Sequence, residues 1–95
     1  MPRYVLAYTR PSRNKKVGDV VVYDKRGKIG IFHKRYPMDL KPGELVIASV
    51  IAERENFYLL KPLRRIENGK IPIKFEPIEV WGRSAWKKLR MMRKR

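Results

Sequence analysis

The sequence predicts a mainly β fold: a small barrel of five or more short strands, followed by one basic helix. Three observations carry this. Short runs rich in Val, Ile and aromatics are separated by Gly, Pro, Asn and Asp turn signals. Two of those runs open alike, VGDVVVYD at 17–24 and PGELVIAS at 42–49, each a Gly, an acid and an aliphatic stretch. The end, residues 83–95, holds seven bases and no acid, with Trp86 and Leu89 at helical spacing.

The elements follow in order. Residues 3–9 (RYVLAYT) are apolar and aromatic-rich, a strand signature. Residues 10–16 (RPSRNKK) form a basic loop punctuated by Pro11 and Ser12. Residues 17–24 form a strand, Asp24-Lys25-Arg26-Gly27 a tight turn, and residues 28–34 (KIGIFHK) the return strand of a hairpin. A loop with Pro37 and Pro42-Gly43 leads to a strong strand at 44–52. A turn at 53–56 then precedes a strand at 57–63 that is expected to break near Pro62. Asn68-Gly69 is the best short hairpin signal in the chain, and Pro72 is expected to put the next strand at a sheet edge. Ser84 is expected to cap the helix AWKKLRMMRKR, with Trp86 and Leu89 sharing one face. Two units result: residues 1–82, a barrel with the Asn68-Gly69 hairpin, and residues 83–95, a basic helical tail.

Charge narrows the function. The chain carries 24 Lys and Arg against 9 Asp and Glu, a net charge of +15 over 95 residues. Such a surface repels itself unless a polyanion neutralises it. Hydrophobic residues at 43% are too many for a disordered basic tail, so a folded basic module is expected. There is no Cys, which excludes disulfides and thiolate metal sites, and His33 is the only His. No metal, cofactor, small-molecule substrate or catalytic residue is expected. Ser12, Ser49 and Ser84 lack the surroundings of a nucleophile, and Gly27 and Gly30 do not make a phosphate loop. No run approaches the ~18 apolar residues of a membrane span, and no signal peptide is recognised, so a cytoplasmic protein is expected. Abundant Lys, Arg, Ile and Val without Cys suit a thermophile.

The Gly-acid pairs are read first as structural. Gly18 and Gly43 allow the backbone to swing into a strand, and Asp19 and Glu44 accept hydrogen bonds from N–H groups at the turn. The same residues carry a resemblance. KPGELVIASVIAERENFYLLKPL (41–63) resembles the closing strands of an OB-type RNA-binding barrel and is most similar to TRAM domains. KKVGDVVV resembles their opening strand and GKIGI their central glycine-containing strand, so the likeness spans about residues 15–63. It implies an OB-like barrel that binds RNA. TRAM domains carry another strand before the PGE segment, where this chain has only RYPMDL. Closure therefore falls to residues 3–9 or to the Asn68-Gly69 hairpin, and an SH3-like barrel stays open as the alternative.

Candidate nucleic-acid-binding residues fall in three groups. In the return strand, alternation puts Ile29 and Ile31 on one face and Lys28, Phe32 and Lys34 on the other, with Gly30 leaving open backbone between them. An exposed ring between cations would stack a base while the lysines hold phosphates; the bland reading packs Phe32 beneath the helix. Arg35 and Tyr36 extend that surface, whereas His33 falls with Ile29 and Ile31 and is read as a half-buried strand residue or an RNA-contacting donor. The loops add Arg10, Arg13, Lys15 and Lys16, and the hairpin tip adds Lys25 and Arg26. The tail adds Lys87, Lys88, Arg90, Arg93, Lys94 and Arg95. Trp81 is read as core.

The leading expectation is a non-enzymatic RNA-binding protein of the translation apparatus. It would be a ribosomal protein or ribosome-associated factor on rRNA, with protein neighbours inside a ribonucleoprotein. The runner-up is an architectural duplex-DNA-binding protein of archaeal chromatin type, with Met38 or Leu40 as an intercalating wedge. A third reading is an adaptor or inhibitor binding an acidic protein surface. A membrane-surface role for the tail is weaker, because its apolar face is short.

Overall fold

A computed structural model describes residues 2–93. Strands run over β1 (Tyr4–Tyr8), β2 (Arg10–Pro11), β3 (Val20–Tyr23), β4 (Ile29–Phe32), β5 (Leu45–Glu53), β6 (Phe57–Ile66) and β7 (Ile78–Trp81), followed by helix α1 (Gly82–Arg93). They form one sheet in the order β2-β3-β4-β6-β5-β1-β7. β1 and β2 lie near opposite ends of that order, yet only Thr9 separates them, so the sheet must curl on itself. Thr9 is fully buried at this corner. Its hydroxyl donates to the Lys41 carbonyl at 2.6 Å and accepts from the Glu44 N–H at 2.8 Å. β4 pairs parallel with β6, and β7 pairs parallel with β1. The result is a curled half-barrel, with residues 3–11 running through both ends of the sheet and α1 beside it.

The apolar run of β1 is continuous because both of its faces are covered. Val5 and Ala7 point into the barrel with Val22, Ala48, Tyr58, Leu60 and Trp81. Tyr4, Leu6 and Tyr8 point the other way, into a second core with Leu45, Ile47, Ile66, Phe75, Ala85 and Leu89. The helix is thus part of the fold and not an appended tail. Ala85 and Leu89, four apart, are fully buried, and Met92 continues their stripe.

Of the two Gly-acid openings, both glycines and Glu44 act as expected, whereas among the described residues the exposed Asp19 side chain accepts no hydrogen bond and only its carbonyl does, from Ser12. Gly18 and Gly43 have φ of 108° and 88°, where a side chain would be strained. Glu44 Oε1 accepts from the Lys41 N–H at 2.5 Å, and Oε2 lies 2.6 Å from Arg65 Nε, a charge pair out of hydrogen-bond alignment.

Several expectations are corrected. Asn68-Gly69 makes no hairpin: β6 ends at Ile66, and the chain beyond the turn runs into the 3-10 turn at Ile73–Phe75 instead of a return strand. The turn instead receives α1: Arg93 Nε donates to the Gly69 carbonyl at 3.0 Å. Pro62 does not break β6. The register steps from Ile47↔Arg64 to Ala48↔Pro62, and this bulge accommodates the missing N–H. Pro72 precedes a 3-10 turn at Ile73–Phe75 rather than a strand, although β7 is indeed an edge strand. Residues 10–16 are only partly loop: Arg10 and Pro11 pair with Val21 and Val20, and Lys15–Val17 form a 3-10 turn capped by Asn14. Ser84 lies inside the helix, which starts at Gly82, and its Oγ accepts from Arg10 at 2.7 Å.

Candidate nucleic-acid interface

The strand expected to present Phe32 faces the other way. A Cβ on Gly30 would lie 2.8 Å from Leu60 Cδ1, 2.8 Å from Val22 Cγ2 and 3.1 Å from Trp81, so Gly30 fills the barrel interior. Its parity partner Phe32 follows it inward, half-buried against the barrel core and against Val20, Leu40 and Val46. Phe32 is therefore no exposed stacking platform. Ile29 and Ile31 point outward instead. Their register partners are Tyr23 and Val21 on β3, and Phe57 and Leu59 on β6. Ile29, Ile31, Tyr23, Phe57 and Leu59 are all half-buried, so the outer surface of β3, β4 and β6 is an apolar strip.

The expected loop cations sit at the two ends of this strip. Lys25 and Arg26 project from the turn before β4 and are exposed, whereas Lys34 and Arg35 follow β4. The four residues of β4 separate the groups by about 13 Å. At the far end Phe32, His33, Lys34 and Tyr36 line a hollow of about 280 Å³ beside the 17–20 segment. His33 Nδ1 accepts from the Arg35 N–H at 3.1 Å, and Lys61 Nζ lies 4.7 Å from the Tyr36 ring centre. Arg13, Lys15 and Lys16 are exposed on the adjoining loop. Arg10 instead bridges to α1 through Ser84 and lies over the Tyr8 ring, at 5.7 Å.

A larger open cleft of about 1070 Å³ lies where the barrel is unsealed, between the 24–28 turn and the β7–α1 corner. A closed polar network lines it. Arg3 pairs with Glu79 at 2.5 Å and with Glu53 at 2.9 Å, and Lys28 reaches Glu53 at 3.4 Å. Lys28 is thereby held inside the fold, 4.4 Å from the centre of the Tyr58 ring. The hydrogen bonds from Arg3, and then from Lys28, hold the Glu53 carboxyl below its ordinary value, while the bond to Glu79 raises the Arg3 guanidinium. Burial pushes the Asp24 carboxyl up, but bonds from the Tyr58 hydroxyl and the Lys28 and Arg26 N–H groups outweigh it and lower it. Burial, then the Asp24 bond, raises the Tyr58 hydroxyl. The Tyr58 and Trp81 rings lie 4.7 Å apart beneath this network.

The helix contributes an exposed face of Arg83, Trp86, Lys87 and Arg90 with no acid on it. Trp86 is 47% exposed and lines the cleft, so it does not share the buried face of Leu89. Lys88 is half-buried, and Arg93 is tied to Gly69. Lys94 and Arg95 lie outside the described residues. Arg3, Lys61, Arg83 and Trp86 were not among the sequence candidates. The helical period could have found Trp86: with Ala85, Leu89 and Met92 on one stripe, it falls to the side. Arg3 carried no sequence signal, because its partners are 50 and 76 residues away.

Met38 and Leu40, the expected wedge, pack with Val20 and Val46, and Leu40 is 7% exposed. Among the described residues no group of three His, Cys, Asp or Glu could hold a metal ion, and no helix is long and apolar enough to cross a membrane. Ion pairs among the described residues involve only three of the cations, Arg3, Lys28 and Arg65. Compared with protein-family models, curated proteins and solved structures, the chain finds no match.

Proposed function

We propose that this chain is a non-enzymatic RNA-binding protein of the translation apparatus, a ribosomal protein or ribosome-associated factor working in the cytoplasm. The observation that carries the reading is the partition of charge. Glu44, Glu53 and Glu79 are engaged with Arg65, Arg3 and Lys28, and Asp24 with Tyr58; the other acids, Asp19, Asp39, Glu55, Glu67 and Glu76, are exposed but outnumbered by the solvent-facing cations of the loops and of the acid-free outer face of α1. A surface so arranged gains by releasing counterions from phosphates. The apolar strip on β3 and β4 supports the same reading, since that side of an OB-like barrel is the one that takes oligonucleotides. TRAM-like ancestry would fit, and protein neighbours in a ribonucleoprotein would cover part of the surface. The duplex-DNA reading is less well supported, because its wedge residues are packed in the core.

Anisotropy titrations at one near-physiological salt concentration test the proposal. Matched single-stranded RNA, structured RNA, single-stranded DNA and duplex DNA serve as probes. Tightest binding to either RNA is expected. Tightest binding to duplex DNA would replace this reading with the chromatin one. Equal weak binding to all four would turn attention to an acidic protein partner.

A further inference from the structure

We propose that the cleft between the 24–28 turn and α1 receives one unpaired base of a bound RNA strand, stacked against Trp86. This rests on the RNA-binding reading and gives it a site shared between the 24–28 turn, inside the stretch that resembles an OB-type domain, and α1, outside it. Three observations converge on it.

The first is the distribution of charge within the cleft. Lys25 and Arg26 stand on one rim and Arg83 on the other, all exposed and none in an ion pair. Glu53 and Glu79, exposed but closed on Arg3, line the cleft between these cations. A phosphate beside them would meet two carboxylates, whereas beside Lys25, Arg26 or Arg83 it meets cations. The group that fits between is therefore uncharged and polar-edged, and the anionic group stays with the cations. A nucleotide has that division.

The second is Trp86. It is a large aromatic side chain left 47% exposed at the cleft wall, although the helix has a buried stripe one position away at Ala85 and Leu89. An indole beside cations offers a face to any base. The third is size: about 1070 Å³ exceeds slightly the ~300–1,000 Å³ of small-ligand pockets, which leaves room for a base and its sugar.

The test uses the full chain, a short single-stranded oligoadenylate RNA, and an abasic strand with the same number of phosphates. The wild type should bind the base-bearing strand more tightly than the abasic one. Trp86→Ala should weaken binding of the base-bearing strand by about 5- to 150-fold and leave the abasic strand unchanged. Trp86→Phe should retain most of the affinity. Circular dichroism melting confirms that each variant folds. If Trp86→Ala binds both strands as the wild type does, or loses affinity for both equally, the cleft does not stack a base, while the RNA-binding reading stands. If the wild type binds neither strand, the cleft proposal fails, and the four-probe titration with structured RNA decides whether the RNA-binding reading fails with it.

Discussion

The Tyr58 hydroxyl donates to Oδ2 of Asp24 at 2.8 Å, tying β6 to the turn between β3 and β4. Asp24 Oδ1 meanwhile accepts from the N–H groups of Arg26 and Lys28 at 2.9 and 2.8 Å. One carboxylate therefore holds the turn's shape and fixes it to the barrel. Its carboxyl is lowered in the folded state, so the unfolded chain binds the proton more readily. That contribution is present above the ordinary value of ~3.9 and is lost as pH falls through the lower folded value. Asp24→Asn should cost about 1–2 kcal/mol at neutral pH and should flatten the acid limb of stability. Urea denaturation at neutral pH and at several pH values below 4 measures both; an acid limb as steep as the wild type's would remove Asp24 from the account.

Gly30 tests the inverted face of β4. With Leu60 and Val22 each at 2.8 Å from an added Cβ, Gly30→Ala should overpack the barrel and cost about 1–3 kcal/mol. A glycine that merely exposed backbone to a ligand would tolerate Ala with no loss of stability. Thermal denaturation of the apo protein separates these outcomes.

That position also shows what the sequence made legible. The alternation of 28–34 was readable, and so was the existence of β3, β4, β5 and β6, because alternation and turn chemistry are local. Which parity faces inward was not, since it depends on Trp81, which reaches the barrel from β7, 51 residues downstream of Gly30. The Asn68-Gly69 signal failed for a similar reason. The turn residues favour a bend, but the bend packs against Met92 and Arg93 of α1, and Pro72 leads into a 3-10 turn rather than a return strand. The loop cations were legible as exposed charge. The cleft was not, because Arg3, Asp24, Glu53 and Glu79 come together only through the sheet.

The helix should behave as part of the core. Leu89 is fully buried among residues of β1, β5 and β6, so Leu89→Ala should cost about 2–5 kcal/mol. Removing residues 84–95 takes away Ala85, Leu89 and Met92 together and should abolish the cooperative melting transition. A truncated chain that melts like the wild type would mean that α1 is only an appendage.

The exposed cations should act on binding alone. Lys25, Arg26, Lys87 and Arg90 make no ion pair among the described residues and lie on the surface, so neutralising them leaves the cores untouched. Each that contacts a phosphate of a single strand contributes about 0.7 to the slope of log affinity against log salt. A Lys25→Gln, Arg26→Gln pair should therefore lower the slope by about 1.4 if both residues touch phosphates, with no change in melting temperature. The Lys87→Gln, Arg90→Gln pair should do the same if the strand also crosses α1. Salt titrations with a single-stranded RNA probe read both slopes. An unchanged slope in the first pair with a reduced one in the second would put the strand on the helix and away from the 24–28 turn. The reverse would confine it to the β3–β4 surface.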